Sequence, residues 1–167
     1  STAYVFVSGI QDQHQIKNFV EDLAPEWQKK TLLDNKKELI HFNSNQGPVW
    51  ILSRSARSNM TSHQGQLEES LYAWARENAG TILQSIKTYK VQQVNLEFSA
   101  TNHELDLGFL VGLEMAAYSF KSAQSVQDLP DVYLTKTEGS LEPDVLTEAK
   151  YLAGSVNLAR HLVNLPP

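Results

Sequence analysis

The chain has 167 residues, 41% of them hydrophobic and 20% charged, with a formal charge of −5 and no cysteine. That suits one domain burying roughly 70% of its unfolded surface, and it excludes disulfide scaffolds, thiolate metal sites and cysteine nucleophiles. The basic residues are dispersed, with Lys29-Lys30 and Lys36-Lys37 the adjacent pairs, which argues against a nucleic-acid or anionic-membrane footprint.

Tyr4 to Ser8 is an apolar run closed by Gly9 and reads as a strand. Asp12 caps a helix with Ile16, Phe19, Val20 and Leu23 at helical spacing, and Pro25 interrupts it. Leu39–Phe42 and Val49–Leu52 are strand-like, and the turn formers Asn43 to Pro48 between them predict an antiparallel hairpin. Ser53 to Gln66 is a polar loop carrying Arg54 and Arg57. A long helix is expected from Leu67, with Leu71, Trp74, Ala75, Ile82, Leu83 and Ile86 on its apolar face and Gly80 as a weak point.

Val91 to Phe98 reads as a strand. Thr101 and Glu104 have the spacing of a capping box. The helix it opens, Leu105 to Phe120, is apolar almost all round, as a helix buried between layers is. Gly108 and Gly112, four apart, would let a neighbouring backbone approach closely. Val132–Leu134 is a short strand. Pro143 opens a last helix with Val145, Ala149, Leu152, Val156, Ala159 and Val163 in one stripe. Alternating strands and helices predict an α/β fold, three-layer α/β/α, its sheet made mixed by the hairpin. The expected division is a domain over 1–140 and a linker helix over 141–167.

The most apolar stretch, Leu107 to Phe120, is too short to span a bilayer and contains Glu114. The first residues have neither the basic region nor the apolar core of a signal peptide. A soluble, cytoplasmic protein is expected.

No catalytic constellation stands out. His14, His41, His63, His103 and His161 lack metal-site spacing, and no P-loop, G-x-G-x-x-G or G-x-S-x-G is present. His103-Glu104-Asp106 is the densest cluster, but acids in a first helical turn are explained by the helix dipole. Arg54 and Arg57 would suit an anion, yet no glycine-rich nest accompanies them. Gly108 and Gly112 read as close packing in a soluble core, not a membrane dimer motif. Trp50 and Trp74, on apolar faces, read as core. No catalytic, metal or cofactor residue is therefore assigned.

The end of the chain carries a resemblance. Asn157-Leu158-Ala159-Arg160-x-Leu162-Val163-Asn164-x-Pro166 resembles the junction motif of the leucyl aminopeptidase (cytosol aminopeptidase, M17) family. There it closes the linker helix between a non-catalytic N-terminal domain and the catalytic domain. Leu110 to Lys121, with Gly112, Ala116, Ala117 and a Tyr118-x-Phe120 ending, and Leu67 to Lys87, with Arg76, Ala79 and Gly80, resemble that domain's buried helix and the helix before it. Two departures stand out. Ser53-Arg54-Ser55-Ala56-Arg57 replaces a Gly-Leu-Gly-Lys type turn, and His161 replaces a common acid.

The resemblance implies a macro-domain-like N-terminal domain whose residues Asn157, Ala159, Arg160, Leu162, Asn164 and Pro166 form a structural junction. It implies a parent homohexamer that releases N-terminal residues from peptides, with two divalent metals, Zn or Mn, in a C-terminal catalytic domain. The ending on two prolines reads as a connector cut before that domain. The early part of the last helix is expected to pack on this chain's core, and the part near Ala159 and Val163 to face the partner domain. The rival reading is a free-standing macro-domain-like module that binds ADP-ribose or another nucleotide. DNA binding, reported for some family members, fits poorly with the charge of −5.

Overall fold

A strand that must be buried on both faces is written almost without polar residues. The first strand, β1 (Thr2–Ser8), is of this kind, buried without a break from Val5 to Ser8. The computed structural model describes residues 1–56, 70–99, 102–117, 130–136 and 143–164, with the backbone alone for 135, 136, 143 and 156–164. It places β1 at the centre of a five-stranded sheet of order β2-β3-β1-β4-β5. The other strands are β2 (Leu39–Ser44), β3 (Gly47–Ser53), β4 (Gln93–Phe98) and β5 (Asp131–Lys136). β3 and β4 flank β1 in parallel, β5 is parallel to β4, and β2 is antiparallel to β3. The mixed sheet follows from the predicted hairpin.

Strand alternation divides the core into two layers. Val5, Val7, Trp50, Leu52, Leu96 and Phe98 face α3 (Leu71–Thr88), α4 (His103–Ala117) and α5 (Pro143–Asn164). Phe6, Ile40, Phe42, Val49 and Ile51 face α1 (Gln13–Phe19) and α2 (Glu26–Asp34). This is the expected three-layer α/β/α arrangement. Among the described residues no helix is long and apolar enough to cross a membrane.

The first helix is shorter than its pattern suggests. Asp12 caps it as expected, accepting from the N–H groups of His14 and Gln15 at 2.9 and 3.3 Å. It ends at Phe19, however, and Val20 and Leu23 are buried from the turn that follows. Pro25 does not break a helix; it stands at the N-cap of α2, which the sequence reading missed. The reason is visible in α2 itself. Of its residues Leu32 and Lys29 are buried while Trp27 is 76% exposed, so its apolar periodicity is weak. The Lys29 ammonium meets Glu26 at 2.9 Å and Glu21 at 3.2 Å, which lets its stem lie against the core.

The hairpin loop is tighter than the run of turn formers implies, with Ser44 paired to Gly47 across Asn45-Gln46. Gly47 has φ +147°, and a Cβ there would collide with the Thr2 carbonyl oxygen. On β2, His41 stacks on the buried Trp50 at 4.6 Å, with Tyr89 edge-on to both rings at 5.4 and 5.5 Å. Partial burial pushes the His41 pKa below its ordinary 6.5. The unfolded chain therefore binds this proton more readily than the folded one. The stabilisation is complete above pH 6.5 and is lost as pH falls through the lowered folded value. The melting temperature of His41→Phe should thus fall less than that of the parent between pH 7.5 and pH 5, and equal slopes would contradict this.

α3 begins at Leu71, later than expected, with Ser70 as N-cap accepting from the Ala73 N–H at 3.1 Å. Leu67 and Arg57 lie outside the described residues. Its stripe packs as read, with Trp74, Ala75, Ile82, Leu83 and Ile86 buried together with Ala79. Gly80 is helical with nothing within 4 Å of an added Cβ. Gly80→Ala should stabilise the chain by about 1 kcal/mol, raising its melting temperature by roughly 2–4 °C. Thermal denaturation checks this.

α4 starts at His103, and its cap differs from the predicted box. Asn102 accepts from the Leu105 N–H through its side chain at 3.1 Å and from the Asp106 N–H through its carbonyl at 3.0 Å. Asn outranks Thr as an N-cap, and Thr101 lies outside the described residues. Glu104 reaches instead to α3, accepting from the Tyr72 N–H at 3.3 Å. From Leu105 to Gly112 every residue of α4 is buried. Gly108 lies against the backbone of Tyr72 and Gly112 against that of Arg76, so the two glycines are where α3 and α4 touch main chain to main chain. In α5, Val145, Ala149 and Ala153 belong to the same core. The helix backbone continues to Asn164, while the side chains of Val156, Ala159 and Val163 lie outside the described residues.

Candidate functional site

In open α/β sheets a crevice forms where adjacent parallel strands send their chains to opposite faces. Here β1 leads to α1 on one face and β4 leads to α4 on the other. The crevice therefore lies at the carboxyl ends of β1 and β4. Three parallel strands end there alike, as Val7-Ser8, Leu52-Ser53 and Phe98-Ser99. Ser8 pairs with Ser53 in the β1–β3 register, and Ser99 follows the Val7–Phe98 pair. The three serines form a row across the sheet, each no more than 2% exposed.

Two of the three serines are bonded to each other. Ser99 Oγ donates to Ser8 Oγ at 2.9 Å, and Ser8 Oγ accepts from the Ile10 N–H at 3.3 Å. The Ser99 N–H donates to the Val7 carbonyl and the Arg54 N–H to the Ser8 carbonyl, extending the strand ladders by a step. No base figures among these partners. These bonds tie the ends of β1, β3 and β4 together. Gly9 alone follows β1, which falls short of the converging N–H groups of a phosphate nest.

Beside the row, Glu38 accepts from the Ser55 N–H at 2.9 Å and its hydroxyl at 3.3 Å, and from Trp74 Nε1 at 3.4 Å. The Arg54 guanidinium lies over the Trp74 ring, 5.8 Å from its centroid. Arg54 is thus engaged with α3, and Trp50 and Trp74 are core residues, 1% and 3% exposed. The sequence reading missed both the serine row and Glu38. The repeated apolar-Ser ending was a usable signal for the row. Glu38 gave none, because its partners Ser55 and Trp74 lie 17 and 36 residues away.

His103, Glu104 and Asp106 do not converge. His103 Nε2 meets Glu148 of α5 at 3.4 Å, Glu104 caps α3, and Asp106 is buried inward at 2% exposure. Among the described residues no group of three or more His, Asp or Glu is placed to hold a metal. The described residues do not fit the two metals that the aminopeptidase resemblance implies for a catalytic domain. His14 contacts Asn18 on α1 and His41 belongs to β2, while His63 and the His161 side chain lie outside the described residues. The junction residues Asn157, Ala159, Arg160, Leu162 and Asn164 fall on the α5 helix, whose backbone alone is described there, and Pro166 lies outside.

No family model matches the sequence, and neither does any curated protein. Several solved chains match in fold, two structures of one enzyme among them. The bottromycin maturation enzyme BotP is 14% identical with a TM-score of 0.59, the match covering 99% of this chain and 33% of that one. BotP in complex with Mn is 13% identical with the same TM-score, the match covering 99% of this chain and 32% of that one. At such identity the likeness concerns the fold. The chain spans about a third of the length of the structures it matches.

Proposed function

We propose that this chain is the non-catalytic, scaffolding domain of a larger metal-dependent leucyl aminopeptidase. In that reading it packs against a separate catalytic domain and helps assemble a homohexamer that trims peptides in the cytoplasm. What supports the part about a larger enzyme is the fold match: nearly the whole chain superposes on about a third of an enzyme, one structure of which holds Mn. The aminopeptidase part rests on the junction-like residues on α5. The two metals and the hydrolytic step belong, on this reading, to residues outside this chain, where two-metal sites activate water and polarise the scissile carbonyl. The residues encoded after Pro167 test it: a Lys and a cluster of Asp and Glu are expected, and their absence would sink the reading.

The crevice between β1 and β4 favours a second reading, a macro-domain-like binder of ADP-ribose or another nucleotide. Calorimetry separates the two. Binding of ADP-ribose tighter than about 10 μM would favour the module, and no heat of binding would favour the scaffold.

A further inference from the structure

Among the described residues the sheet has two edges, and they differ in kind. β2 exposes the polar residues His41 and Asn43. β5 exposes Val132 at 44% and Tyr133 at 53%. Val132 also borders a groove of about 380 Å³ with Leu134, Leu110, Leu113 and Leu146, and Leu146 is itself 41% exposed. Native edges are ordinarily blunted by charge, proline or a covering element. An edge that keeps two large apolar side chains in the open has the character of an interface.

We propose that β5 is the edge through which two copies of this chain join their sheets, antiparallel and about a two-fold axis at Tyr133. The backbone sets the register. The Asp131 N–H donates inward to the Gln92 carbonyl at 3.0 Å, so by alternation Tyr133 also faces β4, and the N–H and C=O groups of Val132 and Leu134 point outward. Centred on Tyr133, Val132 of one copy stands opposite Leu134 of the other. The outward groups of these two residues then form a hydrogen-bonded pair on either side of the axis. Tyr133 meets its own mate in a non-hydrogen-bonded pair, where side chains lie closest. Every apolar residue of the strand thus faces an apolar residue. The neighbouring registers lose this, setting Val132 opposite Lys136 or Asp131 opposite Tyr133. This self-complementarity selects a second copy as the occupant. The proposal deepens the scaffolding reading by giving assembly a surface. It is decided by association of this chain, whereas that reading is decided by the chemistry of the residues that follow.

The 167-residue chain should show a monomer–dimer equilibrium by sedimentation across the micromolar range. Tyr133→Lys sets like charges directly opposite and should weaken association at least tenfold with an unchanged circular dichroism spectrum. Val132→Pro removes an outward N–H and should do the same; if it unfolds, Tyr133→Lys, which keeps every main-chain bond, carries the test. Because the chain has no cysteine, Tyr133→Cys can form a disulfide with a second copy alone. It should oxidise to a covalent dimer much faster than Val132→Cys, whose symmetry mate is two residues out of step and beyond disulfide reach. A monomer at every concentration, a dimer untouched by Tyr133→Lys, or equal cross-linking at both positions would overturn the proposal.

Discussion

Gly112→Ala should lower the melting temperature by about 6–12 °C, the equivalent of roughly 3 kcal/mol in a chain of this size. An added Cβ would collide with the Arg76 carbonyl oxygen and stand 2.8 Å from the Ala79 Cβ. Backbone cannot swing aside as a side-chain tip can, so α3 and α4 must separate along their length. Their separation would loosen Ala75, Ala79, Leu105 and Phe109 together. Gly108→Ala should act alike, because its Cβ would collide with the Tyr72 carbonyl oxygen and stand 3.0 Å from the Tyr72 Cα. The contrast with Gly80→Ala is the diagnostic part. All three changes raise helix propensity by about 1 kcal/mol, so opposite signs can come from the helix contact alone. Thermal melts of the three variants check this, and a stabilised Gly112→Ala would refute the close approach.

Phe98→Ala should cost about 4 kcal/mol. Phe98 is wholly buried at the end of β4 and meets Phe109 of α4 edge-to-face, with centroids 5.9 Å apart and planes at 88°. The pair ties the sheet to α4 beside the serine row, and the surrounding main chain of strand and helix is too regular to collapse into the space left. A double-mutant cycle with Phe109→Ala should return a coupling of about 1 kcal/mol, the share due to ring geometry and not to area. Urea denaturation of the four proteins measures it. A coupling near zero would mean that the rings are merely neighbours in a packed interior.

The layered fold was legible because the strongest patterns are also the most buried ones. The stripe Trp74 to Ile86 and the run Leu105 to Gly112 face the core as their spacing predicts. Elements held by polar contacts were not legible. α2 buries only Leu32 and the stem of Lys29, whose ammonium meets two exposed glutamates, so its apolar pattern is thin. Glu104 looked like half of a local capping box, yet it caps a helix that begins 33 residues earlier. The serine row shows the same limit from another side. Each serine follows an apolar residue, but their alignment follows from strand register, which the order of the chain does not state. The assignment of no catalytic residue rested on missing motifs. Geometry adds a positive account of where the side chains of the densest cluster go.

The scaffolding role proposed for this polypeptide has it support chemistry without performing it. The direct measurement is release of p-nitroaniline from leucyl-p-nitroanilide by the purified chain with added Mn²⁺ or Zn²⁺. The account predicts a rate no different from metal in buffer. Saturable turnover that co-purifies with the chain and disappears on chelation would contradict it.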